Sequence, residues 1–341
     1  MMDVRKRFET ALNGVLREWE ENENARGAYV YGAFVRGTLT LNSVLDLCIV
    51  WNEDEAPAPL MAEHESVRVS MVFFPAGQIE MVLRGTTDDA FRIADVVGRL
   101  KDARVVLDKD GTLDEWLRVA ADYSWPEEVI AAVKERAIKR LDEAERACDR
   151  EDVISAVELV RDALFDLGRV ILMRNNLYCI IRPAEVLTEV RMLDPIAYQL
   201  FLRTFKLRGM EEDDLNDVLE DLRHWLTVAE RRLTEEENIP LEAFEHFSTA
   251  QRGYESTLEL TIEGDYELAV LELRRAIHAL GRALLVTDGI LARELKDLVD
   301  DLREHESEFY SQIFEEYGGY DFQVKGVTRS IGEARFIAQR L

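Results

Sequence analysis

The chain has 341 residues, 68 of them Asp or Glu and 42 Lys or Arg, and so carries a formal charge of -26 at pH 7. That length predicts two or three domains with substantial cores. That charge weighs against broad binding to nucleic acid or to an anionic membrane, since both depend on Lys and Arg neutralising phosphate.

The chain opens with MMDVRKRFETALNGVLREWEE, a charged stretch of helical period without the apolar centre of a signal peptide. Strands are expected next at Ala28 to Phe34, Val44 to Trp51, Ser66 to Phe74 and Gln78 to Leu83, all rich in Val, Ile and Phe. A helix from Asp88 to Leu100 and a strand from Arg104 to Leu107 follow, and Asp110-Gly111 signals a turn. This mixture predicts a small sheet-and-helix domain over residues 1–120.

From Trp125 onward the pattern is almost wholly helical, with Ser124 near a cap and Pro126 in a first turn. An internal repeat lies inside it: DVISAVELVRDALFDLGRVIL, Asp152 to Leu172, matches DYELAVLELRRAIHALGRALL, Asp265 to Leu285, at nine of 21 positions. Apolar identities between amphipathic helices are cheap, but the shared leading Asp and the shared Gly-Arg are less so. Two copies predict a duplicated bundle rather than a solenoid, divided as residues 121–238 and 239–341. The expected class is therefore α+β: an N-terminal mixed sheet with helices, followed by a mainly α-helical region of two related bundles.

No apolar run reaches the ~18 residues of a spanning helix. Cys48, Cys148 and Cys179 lie far apart without a CxxC partner, so buried thiols in a reducing cytoplasm are expected rather than a disulfide or zinc framework.

One run carries chemistry: GAFVRGTLTLNSVLDLCIVW, Gly32 to Trp51. Residues two apart on a strand share a face, so carboxylates at positions 44 and 46 would aim together at a pair of Mg2+ ions clamping a triphosphate. Only Asp46 is present; position 44 is Val. The glycine-containing turn after AYVYGAF suits close approach of backbone N–H groups to phosphate, and Arg36 is either a phosphate ligand or a salt-bridge partner.

The run resembles the G-S-x-x-R-G, then S-D-x-D, element of the polymerase-beta-like nucleotidyltransferases. Gly32, Arg36, Gly37, Ser43 and Asp46 fit; Ala33 stands where the serine belongs and Val44 where the first aspartate does. The stretch ARVVLDKDGTLDEW resembles the closing strand and turn of the aminoglycoside nucleotidyltransferase domain. NNLYCIIRPAEVLTEVRMLDPIAYQLF resembles the helical domain that follows it in kanamycin-type enzymes, and GDYELAVLELRRAIHAL looks like a HEPN-type bundle. The resemblance implies Mg2+ at Asp46, an NTP with ATP first among candidates, and nucleotide contacts from Gly32, Ala33, Arg36, Gly37 and Ser43. It also implies a further carboxylate on a neighbouring strand. Ser70 holds the natural position, and Glu80, apolar-flanked in QIEMVL, is the nearest acid, which makes it the second catalytic candidate beside Asp46.

The other candidates have plainer readings. Glu53 to Glu55 form a solvated loop, Asp108 and Asp110 belong to a turn, and the five histidines lack ligand spacing. Three residues separate Arg274 from His278, which does not match the HEPN ribonuclease spacing. Arg169 and Arg282, each after a glycine, either face a cleft or make interhelical ion pairs. The expectation is a nucleotide-binding pseudoenzyme whose transfer activity is reduced or lost because Val44 replaces a metal-binding aspartate. An active Mg2+-dependent transferase acting on a small molecule or protein hydroxyl, and a helical interaction scaffold, stand as alternatives. Apolar faces on the bundles leave a protein partner or a homodimer open.

Overall fold

The structure is a computed structural model that describes residues 4–40, 43–235, 239–291 and 295–341. The expected boundary between the two bundles, at 238, falls outside the described residues. Contacts between Cα atoms divide the chain into two compact units, Met1–Ala131 with Met173–Ile181 and Ala132–Leu172 with Arg182–Leu341. An N-terminal mixed sheet with helices followed by a mainly helical region is the α+β arrangement expected.

In the first unit α1 (Val4–Glu20) leads into β1 (Ala25–Tyr31), a single turn of helix α2 (Ala33–Arg36), β2 (Leu45–Trp51), β3 (Leu60–His64) and β4 (Val67–Pro75). Then come α3 (Ala76–Leu83), α4 (Ala90–Lys101), β5 (Arg104–Asp108) and α5 (Thr112–Asp122). Among the described residues the five strands form one sheet in the order β3-β4-β2-β1-β5. β2 and β4 run parallel, and the other neighbours are antiparallel.

β1 and β2 are buried along almost their whole length, as central strands covered on both faces should be. One face, with Val30, Leu47, Ile49, Val69 and Met71, packs on Phe8, Leu12 and Leu16 of α1. The other carries Tyr29, Tyr31, Asp46, Cys48 and Ser70, which alternate with that set.

Three expectations are corrected. Residues 78–83 are helix, not strand: in α3 Ala76, Ile79 and Val82 are the buried positions, a three-residue spacing, and a six-residue apolar run cannot by itself distinguish strand from helix. β1 ends at Tyr31, and residues 33–36 turn into α2 instead of continuing to Phe34. β3 was not expected at all. It is an edge strand of mixed exposure joined to β4 through Glu65 and Ser66, both at positive φ (49° and 63°), in a tight turn that lacks the usual Gly or Asn signal.

The second unit is helical. α6 (Glu127–Asp149) and α7 (Val153–Arg174) belong to it through most of their length, followed by α8 (Pro183–Leu193), α9 (Pro195–Thr204), α10 (Glu212–Glu235), α11 (Leu241–Glu263) and α12 (Tyr266–Thr287). α13 (Leu295–His305), α14 (Ser307–Phe309), a π-helical turn at Tyr310–Phe314, α15 (Glu315–Tyr317) and α16 (Val324–Arg340) complete it. No helix among the described residues is long and apolar enough to cross a membrane.

The two matching segments fall on α7 and α12, and their leading aspartates act alike. Asp152 accepts from Ser155 N (3.3 Å) and Asp265 from Leu268 N (3.4 Å), each at its helix start. Gly168 and Gly281 let a neighbouring helix approach: an added Cβ would lie 2.9 Å from Val186 Cγ1 at the first and 3.1 Å from Leu302 Cδ1 at the second.

Candidate active site at the Asp46 end of the sheet

Pairing of the three central strands sets the site. Tyr31 of β1 lies opposite Asp46 of β2, and Asp46 is level with Ser70 of β4. These three side chains therefore form a row across the sheet on one face. Ser43 and Val44 precede β2, which begins at Leu45.

Gly32 follows the end of β1 and closes the row from the side. Its backbone, at φ 71° and ψ -145°, lies in a region that essentially only glycine occupies. A Cβ there would sit 2.5 Å from Asp46 Oδ2. The strand-end carboxylate is thus packed on the glycine that turns the chain. Gly32 O accepts from Val35 N and Arg36 N (3.1 Å each), and Gly37, left-handed at φ 76°, ends α2 with its N–H on Ala33 O. We expect Gly32→Ala to cost about 2 kcal/mol, combining the backbone penalty with displacement of the carboxylate; thermal unfolding measures it, and an unchanged Tm would show that neither contact matters.

The remaining predicted residues are less concentrated. Ala33 begins α2. Arg36 pairs with Asp102 at 3.5 Å in a largely exposed bridge, of the kind that contributes little. Ser43 Oγ lies 2.9 Å from Thr40 N, from which it accepts, and 3.0 Å from Thr40 Oγ1, so the hydroxyl is engaged in its own turn.

Glu80 is not brought to Asp46. It lies on α3 and meets Arg84 (2.9 Å) and Arg26 (3.5 Å), and Arg26 also holds Asp110 (2.7 Å) and Thr112 (3.0 Å). Arg26 starts β1 where Ala25 is paired with Trp51, five residues along β2 from Asp46, which is roughly 16 Å of strand. Glu80 therefore belongs to an ion-pair group at the opposite end of the sheet.

The sequence reading missed two residues that the fold does bring close. Arg99 of α4 is held by Asp95 one turn earlier (Nε to Oδ1, 2.7 Å), donates to the Tyr31 hydroxyl, and stacks on the rings of Tyr31 (5.0 Å) and Phe74 (5.4 Å). The i, i+4 spacing of Asp95 and Arg99 was visible, but it is the common signature of a surface helix pair. Burial raises the Tyr31 phenol well above its usual range; Arg99 partly offsets this, and the carboxylates of Asp46 and Asp95 add to it. Below them Cys48 is fully buried and hydrogen-bonded to Tyr29, and desolvation pushes its thiol up to about 12. Such a thiol stays protonated and is neither nucleophile nor ligand at neutral pH.

Chemically the row supplies one carboxylate, one hydroxyl and a phenol, beside a guanidinium. Among the described residues no group of three or more His, Cys, Asp or Glu is arranged to hold a metal ion. Mg2+ is commonly held by one or two carboxylates together with substrate phosphates, so Asp46 fits a single ion shared with a bound phosphate and does not by itself form a two-ion clamp.

No family model and no curated protein matches the chain. Among solved structures, a nucleotidyltransferase-like protein from Exiguobacterium sibiricum 255-15 is similar over 91% of this chain and 87% of its own, at 14% identity and a TM-score of 0.40. A likeness that loose decides nothing about this chain.

Proposed function

We propose that the N-terminal unit binds a nucleoside triphosphate, ATP first among candidates, at the Asp46 end of the sheet, and that its capacity to transfer the nucleotide is reduced or lost. The observation that carries this reading is the row Tyr31, Asp46, Ser70 with Gly32 packed on the carboxylate. It supports a phosphate-handling site with one acidic residue where transfer through two ions needs at least two. In this reading Asp46 holds one Mg2+, the triphosphate supplies further oxygens, and the ion neutralises phosphate charge in an otherwise acidic protein. Arg36 and the backbone around Gly32 and Gly37 are the remaining nucleotide contacts.

Calorimetric titration with ATP, GTP, CTP and UTP, with and without Mg2+, tests it. Mg2+-dependent binding of at least one nucleotide is expected, at least 10-fold weaker in Asp46→Ala, with no pyrophosphate released above background. Asp46-dependent release would establish an active transferase instead, and absence of binding by all four would sink the reading. Exposed Met192, Ile196 and Phe336 on the helical unit (77%, 61% and 57% exposed) favour a second reading, attachment to a protein partner, which is compatible with the first.

A further inference from the structure

On the helical unit, α9 and α16 pack side by side and leave a groove of about 870 Å³ along their junction. Ile196, Leu200 and Arg203 line it from α9, and Arg329, Gly332 and Phe336 from α16. Each set recurs every three or four residues and so forms one helix face. Two such faces side by side, with Ile196 and Phe336 both more than half exposed, make a seat for the apolar side of a third helix.

Gly332 suits that seat to close approach. Glycine inside a helix costs stability relative to alanine, and elsewhere in this chain it stands where a neighbour comes near. A Cβ added at Gly14, Gly98, Gly168, Gly253 or Gly281 would lie within 3.1 Å of another side chain. At Gly332, in the middle of α16, a Cβ would meet nothing within 4 Å among the described residues. Packing within the chain gives no reason for this glycine; a helix seated in the groove does.

The charge of the rim selects the helix. Arg203 and Arg329 (Nε, 2.8 Å) share the single carboxylate of Glu333, which leaves a surplus positive charge there in a chain of formal charge -26. The complementary surface is the C-terminal half of α11. Over residues 254–263 it carries Glu255, Glu259 and Glu263, all exposed, and no Lys or Arg. Beside them it exposes Leu258 and Ile262, one turn apart. Ile196 to Arg203, Arg329 to Phe336 and Glu255 to Ile262 are each two turns of helix, roughly 10 Å, so apolar and charged positions can be matched along one axis.

We infer that the helical unit binds a second copy of this chain, with Leu258 and Ile262 of one copy's α11 seated in the α9–α16 groove of the other and the α11 glutamates facing Arg203 and Arg329. The inference rests on the reading of the face around Ile196 and Phe336 as an attachment surface, and it names what attaches there. Because the two faces differ, the contact is heterologous and can propagate from copy to copy. One helix end in a groove is a small interface, of the size class that forms transient contacts.

Sedimentation velocity of the full chain at physiological ionic strength is the test. The weight-average mass should rise above that of one chain between about 1 and about 100 µM, as a small transient interface requires. Phe336→Gln in the groove and Ile262→Gln on α11, both at exposed positions, should each weaken self-association roughly 10-fold and leave the helical circular-dichroism signal unchanged. Gly332→Gln, which meets open space within one chain, should weaken it by about as much. Mixed in equal amounts, the Phe336→Gln and Ile262→Gln chains should associate again and stop at one-to-one pairs, since each retains the face that the other has lost. A wild-type chain that stays monomeric, or a mixture that does not pair, overturns the inference and leaves attachment of a different protein at this face standing. Self-association that Phe336→Gln abolishes and Ile262→Gln spares overturns the assignment to α11 alone. Self-association that neither substitution weakens overturns the attachment surface as well.

Discussion

Asp166→Ala is expected to destabilise the helical unit by about 3 kcal/mol and to lower its Tm by roughly 6–12 °C for a unit of this size, read from the helical circular-dichroism signal on heating. Asp166 of α7 is completely buried, and three guanidiniums converge on it: Arg136 through Nε and Nη2 (2.8 and 2.7 Å), Arg169 through Nη1 (2.9 Å), and Arg140. The carboxylate ties α6 to α7 and lets three like charges share one region. Removing it leaves them to repel. The pKa directions of Arg136 and Arg169 show where the strain would fall: the hydrogen bond to Asp166 raises Arg136, whereas burial lowers Arg169 despite the same partner. Arg136 and Arg140 can turn to water, with side chains 40% and 29% exposed; Arg169, at 13%, cannot do so readily. That is why the cost belongs near the lower end of what breaking a buried ion pair usually entails. Asp166→Asn keeps shape and acceptor but loses charge, and about half the effect is expected. A loss below 1 kcal/mol for the alanine variant would mean the cluster contributes specificity and little stability.

The same cluster shows how far a single sequence can be read. The Gly-Arg shared by both segments left a cleft-facing arginine and an interhelical ion pair open; Arg169 meets Asp166 three residues earlier in its own helix, and Asp166 was invisible as a partner because an acid inside an amphipathic helix is usually solvent-facing. The central strands were legible because β2 is a nearly continuous buried apolar run and β4 alternates buried Val67, Val69, Met71 and Phe73 with more exposed residues. β3 was hidden by its exposed edge position, and α3 by a run too short to show a period. At the site, Gly32 and Asp46 were readable from local spacing. Their neighbours were not: the position of Glu80 depended on whether residues 78–83 were strand or helix, and Arg99 reaches Tyr31 only because α4 packs across the sheet. Residues that meet through tertiary packing leave no fixed spacing in the chain.

Acid should weaken the helical unit through His278 in a window that its own environment sets. Burial is the largest influence on the imidazole, and Arg161, Arg282 and Arg274 also disfavour a second positive charge there; Glu158 opposes them, and the net result is a pKa lowered from 6.5 to about 4. The other groups facing it do not cancel this. Burial pushes the Glu158 carboxyl upward, but Arg161 and His278 outweigh it and hold it below its usual range, and the Tyr320 phenol is pushed well above its usual range by burial and stays neutral. In the folded chain the imidazole therefore remains neutral down to about pH 4, whereas in the unfolded chain it takes a proton near 6.5. Because the unfolded state binds the additional proton between those values, stability falls as pH falls across them. The full contribution is present above pH 6.5 and is lost as the pH drops through about 4. The span corresponds to roughly 3 kcal/mol. Other carboxylates also titrate at the acid end, so the informative quantity is the difference between the wild-type chain and His278→Gln, which retains a hydrogen-bonding group for Tyr320 without a titratable one. Denaturant unfolding at pH 7.5 and pH 5 should show the wild type losing about 2 kcal/mol more than the variant; parallel losses in the two proteins would place the acid sensitivity elsewhere in the chain.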